Sequence, residues 1–188
     1  GFDLYMRLLQ QAVQELREAI ADPGAAIQRA QYDVTLTATA LGYAPHVDLP
    51  VSAYLSSDFM PDSQLRLRFY RRLARIESAG QVDGLVEELR DRFGELPSSA
   101  QDLLYLLRVR ALAAEAGVES VHAGDEQIAL TLPLPLAHRA AAELVSRFPD
   151  VKVRSNKVWT PLSAAWRGGL VLLLQHLSRL SVTPEPVS

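Results

Sequence analysis

Apolar residues recur at three- and four-residue spacing between residues 4 and 21, where Leu4, Leu8, Leu9, Ala12, Val13, Leu16 and Ile20 fall on one face of a helix. Asp3 stands where it can cap that helix, and Asp22-Pro23-Gly24 ends it. Residues 25–46 carry Ala, Thr, Gln and Gly with no sustained period, the pattern of a linker with little structure of its own. Residues 47–54 mix β-branched and polar residues around Pro50, which fits an edge strand. Asp62 then precedes an apolar stripe of Leu65, Phe69, Leu73 and Ile76, with Gly80 placed to stop the helix. A second helix, about 81–93, carries Val82, Leu85, Val86, Leu89 and Phe93 on its core face and stops at Gly94. Pro97 opens a third, longer helix through Ala116, and Gly117 supplies its left-handed cap.

After Gly117 the period changes to alternation. Val118–Val121 and Gln127–Leu132 flank Ala123-Gly124-Asp125-Glu126, a hairpin signal. Residues 136–148 read as a helix, and 151–154 and 158–159 as short strands about a Ser155-Asn156 turn. Residues 162–180 read as a helix that Gly168-Gly169 kinks or splits. Helices grouped first, then strands and helices, predict an α+β fold: helices packed on a small, mostly antiparallel sheet, preceded by an N-terminal helix. The expected organisation is a helix over 1–22, a linker over 23–45, a domain over 46–182 and a frayed tail over 183–188.

Composition narrows the chemistry. Of 188 residues 48% are hydrophobic and 22% charged, with a formal net charge of −3, enough apolar material for a core and too balanced a charge for a disordered chain. The lack of Cys removes disulfides, thiolate nucleophiles and Cys-containing zinc sites. The longest apolar run, Gly169–Leu174, is far short of the roughly 20 residues that span a bilayer, so no membrane role is expected and cytoplasm is the default location. Gly1-Phe2-Asp3 at the start reads as a cut inside a longer polypeptide.

No glycine-rich loop leads into Lys-Ser or Lys-Thr, so no nucleotide cofactor is expected here. His46, His122, His138 and His176 have no partner at ligand spacing, so neither is a metal. No serine lies in a nucleophile elbow, and no catalytic residue is expected. The one basic cluster is Arg66, Arg68, Arg71, Arg72 and Arg75. Arg68, Arg71 and Arg75 share a helical face that can meet phosphates or a partner's carboxylates, although 17 arginines against 2 lysines make Arg-rich helices a matter of composition as well. Trp159 and Trp166 read as core or interface anchors, since no aromatic ladder surrounds them. On the second helix Glu88 and Asp91, at i and i+3, lie away from the apolar stripe and present two carboxylates from one surface. That geometry suits partner arginines, and equally a solvated face with an internal Glu88–Arg92 pair.

Four strings in order carry a resemblance: GFDLYMRLL at 1–9, DFMPD at 58–62, RFYRRLA at 68–74 and DRFGELP at 91–97. Together they resemble the C-terminal region of the bacterial transcription-repair coupling factor (Mfd) family. Their order and spacing over residues 1 to about 110 make the match specific, whereas beyond Val118 only the pattern of elements is similar, and 25–46 departs from the family pattern. The resemblance implies an ATP- and Mg-dependent motor upstream of Gly1 that translocates on duplex DNA, displaces stalled RNA polymerase and recruits nucleotide-excision repair. Residues 1–22 then resemble the helix leaving the motor's translocation element. The domain from 46 onward resembles the family's terminal regulatory domain, which docks on a UvrB-like module of the same chain and masks its UvrA-binding surface. Glu88 and Asp91 match the acids that in the family pair with arginines of that module. The alternative is a nucleic-acid-binding accessory to the motor through Arg68, Arg71 and Arg75.

Overall fold

The computed structural model describes residues 45–181. The expected N-terminal helix over 1–22, all but the last residue of the linker 23–45, and the tail 183–188 lie outside the described residues. The described elements run β1 (His46–Asp48), α1 (Ser63–Leu73), α2 (Ala79–Phe93), α3 (Ser98–Glu115), β2 (Ser120–Ala123), β3 (Gln127–Thr131), α4 (His138–Arg147), β4 (Lys152–Arg154), β5 (Lys157–Pro161) and α5 (Trp166–Ser181). The strands lie side by side in the order β1-β2-β3-β5-β4. Only β1 with β2 is parallel; the other pairs are antiparallel, giving the α+β architecture that the sequence implies.

The helix termini follow their sequence signals. Asp62 accepts from the backbone N–H of Gln64 at 2.9 Å and Leu65 at 3.1 Å, satisfying two donors that α1 leaves open. Gly94 (φ 81°) and Gly117 (φ 68°) end α2 and just follow α3 in the left-handed region that side chains with a Cβ avoid. Gly80, by contrast, does not terminate α1. It lies in the first turn of α2, because Ser78 and Gln81 form a capping box that starts the helix at Ala79, while α1 has already stopped at Leu73. Gly168 and Gly169 neither split nor end the last helix; both sit in the opening turn of α5, which runs on to Ser181.

The edge strand expected over 47–54 pairs only at 46–48, since Pro50 has no N–H for a ladder. Its alternation continues regardless: Val47, Leu49, Val51, Ala53 and Leu55 are buried while the residues between them are exposed. The extended segment is tied to helices instead. Ser52 N–H donates to Asp102 Oδ2 at 3.2 Å, Tyr54 N–H to the Ser99 carbonyl at 3.2 Å, and Leu55 N–H to Tyr70 Oη at 2.8 Å.

α3 is the central helix, with Leu103, Leu104, Leu106, Leu107, Val109 and Leu112 among its buried residues and therefore apolar around most of its circumference. One face of the sheet supplies Val47, Val121, Ile128, Leu130 and Val158 to the same core. The opposite face presents exposed Asp48, His122, Gln127, Lys152, Arg154 and Lys157. No described helix is long and apolar enough to cross a membrane.

Candidate interaction surface

α1 and α2 are joined at their C-terminal ends by aromatic rings. Phe69 meets Phe93 edge-on with ring centroids 5.8 Å apart, and Phe59 closes on Phe93 at 5.6 Å. Phe93, expected in the core, is half-buried and packs on the core's margin, while Leu89 is fully buried. The Arg92 guanidinium lies 5.6 Å from the centroids of both Phe69 and Phe93, an arrangement favourable to a cation over π faces. From there it donates to Glu88 Oε1 at 3.1 Å, one helical turn back.

Glu88 has a second partner. Arg72, in the last turn of α1, donates to Glu88 Oε2 at 2.5 Å, so one carboxylate bridges two guanidiniums from two helices. The Arg72 hydrogen bond foremost, and that of Arg92 behind it, holds the Glu88 carboxyl below its ordinary value of 4.5. Asp91 differs from its neighbour: it is exposed and makes no ion pair among the described residues. The two acids predicted to share a surface are thus on α2 together, one held by its own domain and one open to solvent.

The predicted basic cluster divides in three. Arg66 turns back to donate to the Met60 carbonyl at 2.5 Å, and Arg72 is committed to Glu88. Arg68, Arg71 and Arg75 are exposed, and of these Arg68 and Arg71 make no ion pair among the described residues. The histidines do not converge. His122 Nδ1 is 2.9 Å from Asp48 Oδ2 and His176 Nε2 is 3.5 Å from Glu143 Oε1; among the described residues no group of three His, Asp or Glu can hold a metal ion.

Two features escaped sequence reasoning. Arg72 and Glu88 are 16 residues apart on different helices, a spacing that carries no periodic signal. Arg110 of α3 donates to the Leu73 and Ile76 carbonyls at 3.3 and 3.4 Å, closing the end of α1 from outside that helix.

A family model, the TRCF domain, matches residues 49–144, slightly more than half of the chain. The chain belongs to the TRCF domain family. The matched range runs from the extended segment after β1 to α4 and so contains both α1 and α2 of this TRCF domain. Among curated relatives, the transcription-repair-coupling factor of Mycobacterium tuberculosis (strain CDC 1551 / Oshkosh) is 33% identical over 172 residues, 90% of this chain. That of Escherichia coli (strain K12) is 33% identical over 126 residues, 67% of this chain. The chain spans only 13% and 10% of these two relatives. A crystal structure of the C-terminal domain of transcription-repair coupling factor superposes with a TM-score of 0.66 at 19% identity, covering 73% of this chain and 93% of that one, and shares the TRCF domain's fold.

Proposed function

We propose that this TRCF domain is an autoinhibitory protein-interaction domain of a transcription-repair coupling factor. It docks on a UvrB-like module of the same polypeptide and covers that module's UvrA-binding surface. It does no chemistry itself: ATP, Mg, duplex DNA and stalled RNA polymerase are handled by the motor of the parent, in the cytoplasm. The observation that carries the reading is Asp91, an exposed carboxylate without an ion pair among the described residues, one helical turn from Glu88. An arginine of the module pairs with Asp91 directly, and Glu88 adds to the field beside it. Arg72, whose side chain is 54% exposed, is the guanidinium that a second incoming arginine displaces from Glu88.

Charge reversal tests the reading. Glu88→Arg with Asp91→Arg in the full-length parent places like charges across the interface and raises UvrA binding. Because Glu88→Arg also sets a third guanidinium beside Arg72 and Arg92, Asp91→Arg alone is the cleaner variant. If both variants bind UvrA as the parent does, while the domain keeps its melting temperature, the acidic face is not the docking surface. The accessory role through Arg68, Arg71 and Arg75 has less support, since Arg75 is already engaged with a partner.

A further inference from the structure

The two lysines of the chain, Lys152 and Lys157, both stand on the face of the sheet opposite the core, and both are exposed. Strand register sets Lys157 directly opposite Arg154, and Lys152 directly opposite Trp159, so all four side chains belong to one face. The three cations are exposed and make no ion pair among the described residues. Like charges facing each other across a ladder repel, and neither β4 nor β5 carries an acid to offset them. Trp159 is only half-buried and, unlike Trp166, is not among the side chains packed against the core. Its neighbour on β3 is Ala129, too small to cover an indole. Trp159 forms part of the wall of an open depression of about 430 Å³, which His122, Asp125, Glu126, Gln127 and Ala129 also line.

We propose that this sheet face binds single-stranded nucleic acid, one base stacking on Trp159 while Lys152, Arg154 and Lys157 hold the phosphates. An aromatic platform on a sheet beside a cationic track is the chemistry that unpaired bases and their backbone require. The acids of the depression repel phosphate, so the backbone follows β4 and the base edge points toward the depression, where carboxylates accept from an N–H of its Watson–Crick edge, such as N3–H of thymine. Duplex does not fit, because its base faces are already stacked. Glu88 and Asp91 lie on α2, outside this surface, so the result bears on it independently of the docking reading.

The test is fluorescence anisotropy of a labelled 12-nucleotide oligo-dT titrated with the 188-residue chain. Affinity should fall with salt with a log–log slope of about −2, as expected for three phosphate contacts. Trp159→Ala should weaken binding by about 5- to 150-fold, with Trp159→Phe retaining most of it. Lys152→Gln with Lys157→Gln should reduce the slope to about −0.7. If Trp159→Ala does not fold, the salt slope of the double-Gln variant still decides. The proposal is overturned by absence of binding at low salt, which leaves Lys152 as a guard of the edge strand β4. Equal binding of duplex, unchanged binding by the folded Trp159→Ala or Lys152→Gln/Lys157→Gln variant, or loss of binding only in Arg68→Gln with Arg71→Gln overturns it too. So does competition by polyglutamate as effective as by oligo-dT, which indicates an acidic protein partner.

Discussion

Glu88 is the residue on which two helices agree, and its protonation state controls both of its ion pairs. Because its folded pKa is depressed, its contribution to stability is fully present above the unfolded value near 4.5 and is lost as pH falls through the lower folded value. Glu88→Gln should therefore cost about 0.5–1.5 kcal/mol at pH 7, the range for two partly exposed pairs. The difference between variant and parent should shrink progressively as pH is lowered below 4.5, as urea melts across that range will report. The i, i+3 placement of Glu88 and Asp91 was legible because helical period alone fixes it, and so was the Glu88–Arg92 pair. The grip of Arg72 was not, since it depends on how α1 and α2 pack.

At the scale of elements, caps were legible wherever one residue type does a job that others cannot. Asp62, Gly94 and Gly117 each stand where the backbone needs a side-chain acceptor or a left-handed conformation. Gly80 misleads because the Ser78–Gln81 box satisfies the backbone on both sides of the start of α2, which makes a helical glycine tolerable. Two glycines of α2 should accordingly respond in opposite directions. Gly84 is exposed in mid-helix with open space where a Cβ would go, so Gly84→Ala should stabilise by about 0.5–1 kcal/mol. Gly94 combines φ 81° with ψ −143°, a conformation nearly restricted to glycine, so Gly94→Ala should cost about 1–3 kcal/mol. Thermal melts of the two single variants check both signs.

For the whole molecule, the α+β class was legible from the change of period at Gly117, but the strand order was not. The pairing of β1 with β2 spans residues 49–119 and leaves no local trace. The same holds for the segment after β1, whose alternation reads as strand although its hydrogen bonds go to α1 and α3. Tyr70 is one of its anchors; desolvation by burial raises its phenol pKa, opposed in part by the Leu55 hydrogen bond. Tyr70→Phe leaves the buried Leu55 N–H without its acceptor and should cost about 1–3 kcal/mol in urea unfolding, without altering the sheet's circular dichroism. The parallel strand also has a mechanical meaning. Tension arriving along the backbone at residue 45 enters the described domain through β1, three residues at the rim of the sheet, before it reaches any of the described helices. Where that load runs along the strand, the ladder between β1 and β2 resists it in shear. Once it yields, the strap from 49 to 55 is next in line, so a pull from that side strips the domain from its edge inward.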